Sequence, residues 1–245
     1  MVALRAFNIE TAAVKSHVPN APAAQLRLQW WRHAIEKCYK GDGSGHPVTE
    51  LLTPAVKEGK LTKGWFLRLL ESRAHDLSTS QPRTLDDLEK YTEDTSASLF
   101  YLGMESMGIR DLNADHAASH VGKAFGLVTL LKALPYHCKA REVYIPTDLT
   151  AKHNITSEML FKGQFTTEIG EAVYEIASVA HGHIEMAREL TSSLPKGANL
   201  VLLPTVRNEG EILITHLAHS NLSTSLLCVL HNHSADVSPN ISSSP

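Results

Sequence analysis

Apolar residues recur every three or four positions along most of the chain, the spacing that puts them on one stripe of an α-helix. Over residues 3–16 this pattern places Leu4, Phe7 and Val14 near one face, with Ala3, Ala6 and Ala13 filling in. After "SHVPN", Asn20 is positioned to cap a second helix whose first turn holds Pro22, where a missing N–H costs little. That helix runs through "AAQLRLQWWRHAIEKCYKG" and stops at the glycine-rich "GDGSG". Pro47 to Lys57 and Leu61 to Arg73 predict a short helical pair.

Thr84 is expected to cap a longer helix, "TLDDLEKYTEDTSASLFYLGMESMG", ending at Gly108. Asn113 is expected to cap the next, which runs to Leu134 and is ended by Pro135. "REVYIPTD" is too short for a helix and reads as an extended segment. Thr166 or Thr167 opens a last helix, closed by Pro195. No strand pattern recurs and no repeat is evident, so the predicted class is all-α. From about Glu209 the character changes. "ILITHLAHSNLSTSLLCVLHNH" is an apolar patch, and from about residue 234 "SADVSPNISSSP" reads as a disordered tail.

Composition narrows the function classes. The 245 residues, 43% hydrophobic and 20% charged, describe an ordinary globular chain. A formal net charge of -3 gives no electrostatic reason to expect nucleic acid as a partner. Cys38, Cys138 and Cys228 are scattered, so neither a disulfide framework nor a metal knuckle is expected. No window approaches the roughly 18 apolar residues of a membrane span. "MVALRAFNIETAAVKS" enters helical periodicity at once and carries Glu10, unlike a transit peptide. If that start is genuine, a cytoplasmic location is expected.

Candidate chemistry is sparse. Asp87 and Asp94 could be imagined on Mg2+, but Thr84 with Asp87 has the Ser/Thr-x-x-acid shape of a helix start, which is the better reading. His116 and His120 stand one turn apart, a spacing that suits zinc. A third ligand would have to come from "HGH" at His181 to His183, so packed or surface histidines are expected. No GxSxG elbow or phosphate loop is present, and Cys38 has no basic partner nearby. "GDGSG" reads as a turn, and the stripe of Trp30, Trp31 and Ile35 as core.

"RLQWWRHAIEKCYKGDGSGHPV", "HDL", "TLDDLEKYTEDTSASL" and "HVGKAFGLVTLLKALPYHCKAREVYIPTD" together resemble the squalene/phytoene synthase family, along roughly Ala3 to Val206. That resemblance implies an isoprenoid-synthase-like helical bundle over residues 1–206, apparently truncated at both ends, with 207–245 as a divergent segment. It also implies allylic diphosphate substrates and Mg2+ held by two DxxxD motifs on facing helices. Aspartates at i and i+4 share one helix face, so two such faces can bracket metals and diphosphate. Gly122, Ala124, Leu127, Leu131, Tyr144, Ile145 and Pro146 keep the family frame. The aspartates of the second motif, however, fall on Ala133 and His137, and those of the first on Ala12 and Ser16. Thr129 and Lys132 take the places of the motif's asparagine and arginine.

Alanine and serine cannot replace a carboxylate for so hard an ion, and imidazole is a poor ligand for it. The expectation is therefore a pseudoenzyme with no catalytic residue, no metal and no cofactor. Within the family, the chain resembles most a non-catalytic branch that assists the assembly of mitochondrial respiratory complex I. This implies complex I subunits or other assembly factors as partners, and a peripheral position on the matrix side of the inner membrane, with its lipid as a further candidate contact. Two alternatives stand beside it: a surviving prenyl-diphosphate transferase, and an isoprenoid- or lipid-binding protein that performs no reaction.

Overall fold

The computed structural model describes residues 2–206 except 19, 80, 164 and 165, with backbone only over 203–206. The tail and the apolar patch beyond Glu209 lie outside the described residues. No described residue is in a strand, and the all-α expectation holds.

The first half contains α1 (Val2–Ala12), α2 (Val14–His17), α3 (Ala21–Tyr39), α4 (Pro47–Gly59) and α5 (Lys63–Asp76). The single N-terminal helix expected from the periodicity is interrupted at Ala13, between α1 and α2. Asn20 caps α3 as expected, its side chain accepting from the Ala23 N–H at 2.9 Å. "GDGSG" turns the chain by left-handed backbone at Gly41 (φ 85°) and Gly45 (φ 97°), which glycine adopts without a Cβ clash.

Next, α6 (Leu85–Thr92), a π-helical turn Glu93–Ala97 and α7 (Ser98–Ser106) form the continuous rod expected to end at Gly108. Thr84 and Asp87 close a reciprocal capping box at its start. The next helix, α8 (Leu112–Lys132), is capped by Asp111 rather than Asn113. A cap needs extended backbone, and Asp111 has it (φ -145°, ψ 133°), while Asn113 already lies inside the first turn. Pro135 does not terminate α8. It sits in the first turn of α9 (Leu134–Lys139), after a one-residue break at Ala133.

Of the segment 141–148 expected to be extended, residues 142–146 lie outside any helix, while Arg141 is left-handed (φ 60°) and Thr147 and Asp148 open the next helix. The segment leads to α10 (Thr147–Lys152), α11 (Ser157–Phe161), α12 (Thr167–Leu190) and α13 (Ala198–Val206). The first two and α13 have no counterpart in the sequence reading; five, six or nine residues are too few to display a period.

Three apolar clusters hold these helices. Phe7, Trp31 and Phe66 meet edge to face at centroid distances of 5.5 and 5.2 Å in the first, with Ile35, Leu52 and Leu69 around them. The expected Trp30–Trp31–Ile35 stripe therefore divides: Trp31 and Ile35 are fully buried, but Trp30 is 38% exposed and stacks under the Arg27 guanidinium. Leu127, Ile145, Ile169 and Ile176 centre the second cluster, between α8 and α12. Met104, Ala117, Val121 and Val201 belong to the third. Helix α8 serves two clusters at once, and it crosses the π-turn with almost no gap at Gly122 and Gly126.

Candidate functional site

A cavity of about 470 Å³ opens where α1, α2 and the end of α5 face α8, α9 and the extended segment. Ala12, Ser16 and His137 all line it, together with Thr129. Three of the four positions that the resemblance assigns to metal-binding aspartates thus line one cavity, Ala12 and Ser16 on the α1–α2 side and His137 on the α9 side. The fourth, Ala133, lies half-buried at the α8–α9 break.

Polar side chains fill the space between the two sides. Lys15, one residue before Ser16, extends its ammonium to Asp76 Oδ2 at 2.9 Å and to the Tyr144 hydroxyl at 2.8 Å. That hydroxyl in turn donates to Asp76 Oδ2 at 2.8 Å. Glu142 lies 3.8 Å from Lys15 through Oε1 and 3.2 Å from His137 Nδ1 through Oε2. The chain Asp76–Lys15–Glu142–His137 therefore crosses the cavity from α5 and α2 to α9. The His137 hydrogen bond, seconded by Lys15, holds the Glu142 carboxyl below its usual pKa. Burial, with Tyr91 and Asp76 adding to it, holds the Tyr144 hydroxyl far above its usual value, so it stays protonated and can donate. A second cation, Arg73, ties α5 to α1 by donating to the Asn8 carbonyl at 3.0 Å, to Asn8 Oδ1 at 2.6 Å and to Thr11 Oγ1.

A groove of about 900 Å³ adjoins the cavity and shares Asp76, Tyr91 and Tyr144 with it. Asp94 lies on its wall but is engaged by Lys90 at 2.7 Å and Arg68 at 3.6 Å, while Asp87 is committed to the capping box. Both acids thus have positive structural roles.

The histidines are packed or at the surface, as expected, and three of them bond to one another. His183 is recruited from α12 and joins His120 Nδ1 to Nδ1 at 2.9 Å, and His120 Nε2 meets His116 Nε2 at 3.2 Å. His183 Nε2 reaches Glu89 at 2.8 Å. His120 uses a different ring nitrogen for each neighbour, so the three do not converge on one point. Among the described residues no group of three or more His, Cys, Asp or Glu is arranged to hold a metal ion. His181 faces away, half-exposed, 4.0 Å from Glu185. Cys38 and Cys138 are free and buried, and burial raises both thiols. Cys228 lies outside the described residues.

The model of the squalene/phytoene synthase family matches residues 1–221. The chain belongs to the squalene/phytoene synthase family. Its relatives include two named "NADH dehydrogenase (ubiquinone) complex I, assembly factor 6": that of Mus musculus is 41% identical and that of Homo sapiens 40%, each over 207 residues. Each match covers 84% of this chain and 62% of the relative. The chain thus spans less than two thirds of those relatives' length. Among solved structures, a dehydrosqualene synthase with bound ligand superposes with a TM-score of 0.75 at 16% identity, over 95% of this chain and 84% of that one. At that identity the likeness establishes the isoprenoid-synthase fold alone.

The Mg2+ implied by the family does not fit the residues present. The two acids on the cavity wall, Asp76 and Glu142, already share the Lys15 ammonium, and none of the four motif positions carries a carboxylate. A divalent ion would have to enter beside a fixed cation with no free carboxylate pair to receive it. Of the residues in this network, Asp76, His137, Glu142 and Tyr144 fall within the stretches that carry the resemblance. Nothing in the sequence singles out Lys15 or Arg73, whose partners lie 61 and 62–65 positions away.

Proposed function

We propose that the chain is a non-catalytic assembly factor for mitochondrial respiratory complex I, working by protein contact. The observation that carries this reading is the 41% identity, across 84% of the chain, to a relative of that name. A cavity whose acids are neutralised by Lys15 supports its non-catalytic part. The partners are complex I subunits or other assembly factors. The position is peripheral, on the matrix side of the inner membrane; no described helix is long and apolar enough to cross one.

The test is deletion of the gene in its source cells and re-expression of this chain, with complex I read on native gels and as rotenone-sensitive NADH oxidation. Purified chain is assayed in parallel for diphosphate release from farnesyl and geranylgeranyl diphosphate with Mg2+. Restored complex I without diphosphate release is the expected result. Absent rescue combined with Mg2+-dependent release would establish a prenyl transferase instead.

A second reading, compatible with the first, is favoured by the cavity's size and its apolar wall of Leu28, Leu77, Leu99 and Leu130. It is that an isoprenoid or lipid chain binds without reacting. Saturable binding of geranylgeraniol, which lacks the diphosphate, supports it; binding only of diphosphates counts against it.

A further inference from the structure

The cavity lies between helices that, by the resemblance, a synthase would join through metal ions. Here the same two sides are already joined. Lys15 on α2 reaches Asp76 at the end of α5 and Glu142 beyond α9, and Glu142 holds His137 on α9. The ammonium also lies 4.9 Å from the centre of the Tyr144 ring, whose hydroxyl completes a triangle with Asp76. Lys15 and the two acids each have between 15% and 26% of their side chains exposed, so solvent screens them only in part.

We propose that Lys15 is a built-in replacement for the divalent metal: its ammonium neutralises Asp76 and Glu142 and clamps the α2 wall to the α9 wall, making the cavity metal-independent. The two partly buried carboxylates Asp76 and Glu142 need positive charge at this place, and a covalently attached cation supplies it where alanine, serine and histidine stand at the motif positions. It follows that the cavity favours uncharged ligands. A diphosphate would have to compete with Asp76 and Glu142 for Lys15, and it would arrive without metal to offset its own charge. This inference rests on reading positions 12, 16, 133 and 137 as former metal positions. It does not depend on the assembly role.

The experiment is thermal unfolding of the full chain in EDTA, Mg2+ or Mn2+, for the wild type, Lys15→Gln, Lys15→Arg, and a triple variant adding Asp76→Asn and Glu142→Gln to Lys15→Gln. Mn2+ binding is followed separately by its electron paramagnetic resonance signal. The wild type should melt at one temperature in all three media and leave the Mn2+ signal free. Lys15→Gln strands two partly buried carboxylates, so its midpoint in EDTA should fall by roughly 3–8 °C. Mg2+ or Mn2+ should restore several degrees of that loss, with Mn2+ now bound. Lys15→Arg should stay close to the wild type. The triple variant should recover midpoint while losing the metal response.

Each other outcome overturns the proposal in its own way. If Lys15→Gln melts like the wild type and ignores metal, Lys15 is a dispensable surface charge. If neither Lys15→Gln nor the triple variant folds, charge compensation is not what Lys15 contributes. A wild type that binds Mn2+ with saturation and is stabilised by it would instead show that the cavity retains a metal site, and the reading of the four motif positions is the one that fails.

Discussion

Burial, together with the nearby His183 and His116, lowers the pKa of His120 to about 4 from an ordinary 6.5. The hydrogen bonds show what neutrality achieves there. His183 Nε2–H donates to Glu89, leaving Nδ1 to accept from His120 Nδ1–H; His120 Nε2 then accepts from His116 Nε2–H. One proton order satisfies the whole run, and a proton added to His120 would set two N–H groups against each other. Glu89, Glu93 and Lys123 are the other charges facing it. Between pH 6.5 and 4 the unfolded chain binds a proton at this residue that the folded chain refuses. The contribution is thus fully present above about pH 6.5 and is lost as pH falls towards 4, on the order of 2 kcal/mol in all. Urea unfolding at pH 7.5, 5.5 and 4.5 should show this loss, and His120→Gln should reduce the slope by about one proton. An unchanged slope would mean that His120 titrates normally in the fold.

Elements meet most tightly where α8 crosses the π-turn. A Cβ on Gly122 would lie 2.3 Å from Ala97 Cα and 2.7 Å from Ala97 N, backbone atoms that no side-chain rotation can move aside. Gly126 faces Thr92 in the same way, with 2.5 Å to its Cβ. Gly182 on α12 has nothing within 4 Å, so the two helices contain an internal control. Gly122→Ala should destabilise by roughly 2–4 kcal/mol, the overpacking cost exceeding the gain in helix propensity. Gly182→Ala should stabilise by roughly 0.5–1 kcal/mol. Chemical denaturation of both separates close packing from mere helical preference; equal effects would contradict the crossing geometry. Sequence reading serves this scale well when the deciding contact is local. Asn20 and Thr84 were legible as caps because each hydrogen bond closes within three residues. The π-turn was not, since its closest neighbours, Gly122 and Gly126, lie about 25 to 30 positions further along the chain.

At the scale of the whole molecule, the fold and the cavity's place were legible through the family frame, while the cavity's internal chemistry was not. Ala12 and Ser16 line one side of the cavity and His137 the side across from them. What fills the space between them is set by pairs such as Lys15–Asp76 and Lys15–Tyr144, separated by 61 and 129 residues, and no periodicity reports pairs so distant. This difference bears on whether the old reaction could be revived by its missing ligands alone. In a variant carrying Ala12→Asp, Ser16→Asp, Ala133→Asp and His137→Asp, the Lys15 ammonium still occupies the ground between Asp76 and Glu142. Positions 133 and 137 remain one turn apart, since the Ala133 carbonyl accepts the His137 N–H at 2.9 Å, so the obstacle is the ammonium and not the helix geometry. Removing His137 also frees Glu142 to bind Lys15 more closely. The fourfold variant should therefore release no diphosphate from farnesyl diphosphate with Mg2+ above the wild-type background, in a coupled phosphate assay on folded protein. Turnover by that variant would mean that four carboxylates were all the site lacked, and that Lys15 does not stand in the way.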